Sequence, residues 1–77
     1  MHVVIAKVDE VLYEGEARSL TVPGAAGEMT VLGRHMPLIT TLRAGTITVR
    51  PKDNGEKTFR ISDGILEVRQ GGATVIL

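Results

Sequence analysis

The chain has 77 residues, 43% of them apolar, with nine basic and nine acidic side chains and no cysteine. This length predicts one domain over residues 1–77 with a small core, and the zero net charge excludes the basic excess of nucleic-acid-binding domains. No apolar stretch reaches the ~20 residues that span a bilayer, and the N-terminus lacks a signal-peptide pattern. We therefore expect a cytosolic domain that reaches a membrane only through a protein partner.

Along the chain, apolar residues follow the two-residue period of β-strands. The first segment, His2 to Val8, is apolar on both faces, which predicts a strand buried on both sides. Alternating segments follow, with their apolar members at Leu20 and Val22, Ile47 and Val49, Phe59 and Ile61, Leu66 and Val68, and Ala73, Val75 and Leu77. This pattern predicts half-buried strands throughout and an all-β antiparallel sandwich.

Turn signals separate these segments roughly every 8–12 residues, the spacing typical of a sandwich or barrel. Asp53-Asn54-Gly55 predicts a hairpin, because Asn and Gly tolerate positive φ angles. Pro23-Gly24 fits a type II turn with glycine at the third position. Leu38, Ile39 and Leu42 have the spacing of a single helical turn, and no longer helix is predicted.

Residues that would carry catalysis are not grouped in this sequence. The two histidines, His2 and His35, have no carboxylates at metal-ligand spacing. Ser19 and Ser62 lack the glycine-flanked turn that exposes a nucleophile. Gly24-Ala25-Ala26-Gly27 lacks the lysine and hydroxyl that a phosphate-binding loop needs. We therefore predict a non-catalytic chain with no cofactor and no metal site.

Two features admit a binding role beside a structural one. Lipoyl and biotinyl carrier domains are β-sandwiches of about this size with a modified lysine at a hairpin tip, but in the hairpin from Lys52 to Lys57 the lysines flank the turn and the tip is Asn-Gly. A plain hairpin is therefore favoured. His35, followed by Met36-Pro37, lies where proline restrains the backbone. A lone loop histidine is most often structural, yet rigid exposed loops commonly carry binding residues.

The most distinctive part of the chain consists of two neighbouring segments. The first is Val22-Pro23-Gly24-Ala25-Ala26-Gly27-Glu28, and the second is Val31-Leu32-Gly33-Arg34-His35-Met36-Pro37-Leu38. Four shorter segments accompany it: Leu12 to Ala17, Leu42-Arg43-Ala44-Gly45, Ser62 to Val68 and Ala73 to Leu77. In this order and spacing, the six segments resemble the epsilon subunit of rotary F-type ATP synthases from near Val11 to the last residue.

The resemblance implies a flattened antiparallel β-sandwich of about ten short strands. It also implies a non-catalytic rotor subunit that links the gamma subunit to the polar loops of the c-ring in a proton-translocating ATP synthase. The residues carried over by position are Glu28, Arg34, His35 and Met36 toward the c-ring, and Val8, Ile39 and Thr41 toward gamma.

Most members of that family continue into a hairpin of two helices, and this chain stops where that domain would begin. We therefore expect the helical domain and its regulatory functions to be absent. The implied location is the cytoplasmic face of the inner membrane, as a peripheral part of the complex. The alternative is a free-standing β-sandwich adaptor that binds another protein partner.

Overall fold

The computed structural model describes residues 1–34 and 36–77, and within these ranges it contains eight β-strands and no helix that could cross a membrane. The strands are β1 (His2–Lys7), β2 (Glu10–Gly24), β3 (Gly27–Val31), β4 (Leu38–Leu42), β5 (Gly45–Pro51), β6 (Lys57–Ile61), β7 (Gly64–Arg69) and β8 (Gly72–Ile76). The all-β prediction is confirmed, but the expected number of about ten strands is too high. One reason is that β2 runs unbroken through 15 residues.

The strands form two layers that share β2. The first half of β2 pairs with β1, and the order continues through β8 and β7 to β4; we call this layer 1. The second half of β2 pairs with β3 on one edge and with β5 on the other, and β6 follows β5; we call this layer 2. The strand pairs are antiparallel with one exception, since β1 and β8 run parallel.

The core lies between the layers and consists of aliphatic side chains from both. In layer 1 the register places Val3 beside Ala73 and Ile5 beside Val75, all fully buried. In layer 2 the predicted inward pairs Leu20 and Val22, and Ile47 and Val49, are also fully buried. At about 25 cal/mol per Å² of apolar area removed from water, this burial is the main force holding the layers together.

Two bulges in β2 let one strand serve both layers. Ala17 pairs with Pro51 and Ser19 pairs with Arg50, so Arg18 is an extra residue on β2, and its Nε donates to the Pro51 carbonyl oxygen at 3.0 Å. A second register shift follows Ile5 in the β1–β2 pairing. Because bulges bend a strand and increase its twist, they let β2 leave one layer and enter the other.

The structure corrects three local predictions. Pro23 and Gly24 belong to β2, and the chain turns one step later at Ala25-Ala26, between the paired residues Gly24 and Gly27. The turn requires a positive φ at Gly27, +134°, which glycine adopts without a steric clash. Leu38, Ile39 and Leu42 lie in β4 and make no helical turn, since β7 pairs with the whole segment. The first strand is fully buried on one face only, at Val3 and Ile5.

Candidate functional site

The outer face of layer 1 carries a mostly apolar row that crosses five strands. The register aligns Thr41 with Ile65, Ile65 with Ile76, Ile76 with Ala6, and Ala6 with Val11. Ile65, Ile76 and Val11 are each about half exposed or more, although they are large apolar residues. Neighbouring exposed apolar side chains of this kind make the row a candidate binding surface.

Ile39 and Thr41, two of the residues predicted to face gamma, lie on this same outer face. They are alternate residues of β4, both exposed, and Ile39 is 72% accessible. Val8 belongs to the turn between β1 and β2, next to the Ala6–Val11 pair, and is 99% accessible. The structure thus gathers these three residues around one surface.

A polar border runs along the end of this face nearest the start of β1. His2 Nε2 lies 3.3 Å from Glu14 Oε2, and His2 Nδ1 lies 3.3 Å from Glu16 Oε2. On β7, Arg69 Nη1 lies 3.9 Å from Glu67 Oε1 and donates to Thr74 Oγ1 at 2.8 Å. Exposed pairs of this kind add little stability. They do orient charged side chains, so an apolar centre is bordered by an ordered polar rim.

The sequence pattern did not predict that Ile65, Ile76, Ala6 and Val11 belong to this surface. A signal for two of them was present. The inward residues are Leu66 and Val68 in one strand, and Ala73 and Val75 in the next. The alternate positions face outward, so Ile65 and Ile76 are apolar residues on the solvent side. Their alignment into one row is set by strand pairing, which alternation alone does not reveal.

Arg34 and Met36 come together in an open groove at the end of the sandwich reached by β3. The groove is lined by both of these residues with Gly33, Pro37 and Gln70, the last from the turn between β7 and β8. Gly33 lies beside the chain start, since a Cβ built on it would be 3.8 Å from Met1 Cβ. Met36 is 78% accessible and gives the groove an exposed apolar element. His35, predicted for the same site, lies outside the described residues.

Glu28 lies away from this groove. It pairs with Pro23, one residue from the Ala25-Ala26 turn, whereas Arg34 follows the other end of the strand. The five residues of β3 span roughly 13 Å between their first and last Cα atoms. The described residues predicted to face the c-ring are therefore not one cluster: Glu28 lies near one end of β3 and the groove with Arg34 and Met36 lies beyond the other.

A second open groove lies where the β5–β6 connection meets the first half of β2. It is lined by Tyr13, Glu16, Pro51, Lys52, Asp53, Asn54 and Lys57. The Tyr13 and Phe59 rings meet edge to face, with centroids 6.5 Å apart. Within residues 1–34 and 36–77, no three His, Cys, Asp or Glu side chains lie close enough to hold a metal ion.

Comparison with known proteins identifies the family to which this fold belongs. A family model described as the β-sandwich domain of the ATP synthase delta/epsilon chain matches residues 1–77. The chain belongs to this family. The resemblance of its motifs to the epsilon subunit is thereby confirmed.

Sequence relatives of this delta/epsilon domain are longer proteins. The ATP synthase epsilon chain of Bordetella parapertussis is 40% identical over 76 residues, and that of Polaromonas naphthalenivorans is 37% identical over the same length. The alignments cover 99% of this chain and 54% and 55% of the relatives. The chain thus spans about half the length of the curated relatives it matches.

Solved structures show the same delta/epsilon fold. A chain in the cryo-EM structure of the Euglena gracilis mitochondrial ATP synthase (OSCP/F1/c-ring) matches with a TM-score of 0.89 at 22% identity, covering 96% of this chain and 48% of that one. A chain in the central stalk/c-ring structure of the Tetrahymena thermophila enzyme matches with a TM-score of 0.81 at 13% identity, covering 99% and 61%. At these identities the likeness establishes a shared fold.

Proposed function

We propose that this domain is a non-catalytic rotor subunit in the central stalk of a proton-translocating F-type ATP synthase, where it links the gamma subunit to the c-ring. The observation that carries the proposal is the match of a delta/epsilon family model to all 77 residues. The relatives are named ATP synthase epsilon chains, and the structural neighbours come from assemblies described as central stalk and c-ring. The proposed location is the cytoplasmic face of the inner membrane, as a peripheral part of the complex.

The gamma-facing surface in this proposal is the outer face of layer 1. Its apolar row from Thr41 through Ile65 and Ile76 to Ala6 and Val11 supplies the centre, and Ile39 and Val8 extend it. Residues at the centre of a stable interface are more apolar than the rest of the surface, and charged residues are concentrated at the rim. The paired polar side chains around His2 and Arg69 fit such a rim.

A sheet face suits a coupling role because it is held by backbone pairing on several strands. The row lies on β4, β7, β8, β1 and β2, which hydrogen-bond to one another in sequence. A lateral force on Ile65 or Ile76 is therefore resisted by the whole layer. Contacts with the c-ring would use residues at an end of the sandwich, with Arg34 and Met36 at one end and Glu28 at the other. The proposal also includes His35, which stands between Arg34 and Met36 in the sequence.

The test is co-elution of this chain with its cognate gamma subunit on a sizing column, with Ile65→Arg as the probe variant. We expect the unaltered chain to form a stable complex. We expect Ile65→Arg to weaken it by roughly tenfold to hundredfold, because the arginine would be buried without a partner at the centre of the interface. The matched control is Thr58→Arg, which adds the same charge at an exposed position on the outer face of layer 2.

Equal weakening by both variants would mean that added charge acts without regard to position, and the surface assignment would be wrong. If the folded, unaltered chain failed to bind gamma at all, the rotor proposal would give way to the adaptor alternative. Thermal unfolding of each variant shows whether a loss of binding reflects a loss of folding.

A further inference from the structure

The tip of the β5–β6 hairpin brings together an exposed asparagine and a glycine in an unusual backbone conformation. Asn54 and Gly55 lie outside the strands, in the connection between Pro51 and Lys57, and both are exposed. Asn54 has a φ of +142° and Gly55 a φ of +85°. Backbone angles of this kind are rare for residues other than glycine, so Asn54 holds a strained conformation.

The side chain of Asn54 is folded back onto the amide that follows it. The Gly55 backbone N–H donates to Asn54 Oδ1, with a nitrogen–oxygen distance of 2.9 Å. This contact holds the carboxamide group of Asn54 against the one backbone nitrogen that can close a five-membered ring with it. A Cβ built on Gly55 would meet no atom within 4 Å, so there is open space around the ring-closing position.

We propose that Asn54 is a site of spontaneous deamidation in the folded protein. The backbone nitrogen of Gly55, after losing its proton to solvent, attacks the Asn54 side-chain carbon and forms a carbon–nitrogen bond. The carbon–nitrogen bond of the carboxamide breaks, and the leaving nitrogen departs as ammonia with a proton from solvent. Water then opens the resulting succinimide at either carbonyl and yields aspartate or isoaspartate. Water is the only co-reactant, and no electron transfer takes place.

Two other sites in the chain have similar chemistry but lack this geometry. Gln70-Gly71 has one more methylene group, so the same attack would form a six-membered ring, which closes more slowly. Asp63-Gly64 could form a succinimide by losing water, but Gly64 is paired with Leu42, and a Cβ built there would lie 2.9 Å from Leu77 Cδ2. Since Asn54 is the one asparagine in the sequence, deamidation would produce a single defined product site.

The modification would change both charge and backbone at the hairpin tip. The new carboxylate is ionised at neutral pH, as an ordinary aspartate is, and it lowers the net charge of the chain from zero to minus one. It would stand next to Asp53, in the groove that also contains Lys52 and Lys57. Isoaspartate would further insert a methylene group into the main chain of the hairpin.

The experiment follows the intact mass and the charge variants of the full chain during incubation at mildly alkaline pH. Peptide mass spectrometry locates the change, and protein isoaspartyl methyltransferase detects isoaspartate. We expect one acidic species that maps to Asn54, formed in the folded chain at least as fast as in the urea-unfolded chain. Asn54→Gln keeps the loop polar and should form no such species.

A folded chain that deamidates more than an order of magnitude more slowly than the unfolded chain would overturn the proposal, because the hairpin would then protect Asn54. An acidic species that persists in Asn54→Gln would also overturn it, since the reaction would lie elsewhere. Asn54→Asp serves as the charge standard on ion exchange and separates the aspartate product from isoaspartate.

Discussion

Gly24 and Gly15 are both strand glycines, yet their surroundings differ at the level of single atoms. A Cβ on Gly24 would lie 2.8 Å from the Gly27 carbonyl oxygen, because the chain turns back on itself through only two residues there. A Cβ on Gly15 would meet Tyr13 Oη at 3.4 Å, an ordinary van der Waals contact with the tip of a side chain. The tight β2–β3 hairpin therefore depends on glycine at position 24.

We expect Gly24→Ala to lower the free energy of unfolding by roughly 1–3 kcal/mol, because the added methyl group must displace backbone atoms of the hairpin. Gly15→Ala is the matched control and should change stability by less than about 0.5 kcal/mol. Urea denaturation of both variants measures the difference. Equal stability of the two variants would show that the hairpin relaxes freely and that the close approach has no energetic weight.

At the level of elements, the bulge at Arg18 keeps the buried side chains of both halves of β2 directed toward the core. Without the bulge, the two sets of side chains would face opposite ways. Ala17 and Leu20 are both buried although they are three residues apart, and in a regular strand an odd spacing places side chains on opposite faces. The extra residue absorbs this mismatch.

A one-residue deletion should therefore be tolerated at Arg18 and not at Thr21. Removing Arg18 leaves the pairings of Ala17 with Pro51 and Ser19 with Arg50 in regular register, so we expect cooperative unfolding with a loss of roughly 1–3 kcal/mol from altered twist. Removing Thr21 turns Val22 toward solvent, because a one-residue shift exchanges the faces. Circular dichroism during thermal unfolding distinguishes the cases, and similar behaviour of both deletions would contradict this role for the bulge.

At the scale of the whole molecule, the two ends of the sandwich offer different surfaces to a ring of polar loops. The end next to Arg34 and Met36 also contains Gln70, and the opposite end contains the β2–β3 turn with Glu28. Roughly 13 Å of β3 separates them. A ring that approaches one end would leave the other in solvent.

We expect docking to c-rings to depend on one end only. Either Glu28→Ala or the pair Arg34→Ala with Met36→Ala should weaken docking by roughly tenfold, and the other change should have little effect, since interface energy is concentrated in few residues. Pull-down with purified c-rings and the gamma complex measures this, and unchanged unfolding temperatures serve as the control. Similar losses at both ends would contradict docking through one end, and no loss at either would refute the assignment of all these residues to the ring.

The β-sandwich and the inward position of Leu20, Ile47, Val49, Leu66 and Val75 follow from the sequence alone. Apolar alternation and glycine-containing turns are local properties of the chain, and burial of the apolar face is their direct physical consequence. The resemblance of the motif from Val22 to Leu38 to the epsilon subunit was likewise evident from the sequence, because the motif consists of contiguous residues.

The tertiary structure determined which residues from distant parts of the sequence lie side by side. Ile65, Ile76, Ala6 and Val11 form one row only because β1 pairs with β8 in parallel and with β2 in antiparallel register. Glu28 and Arg34 are six positions apart in the chain, but an extended strand places them at opposite ends of the sandwich. Pairing between strands that are distant in the sequence sets the row, because local alternation specifies which face a residue takes without specifying its neighbour on the next strand.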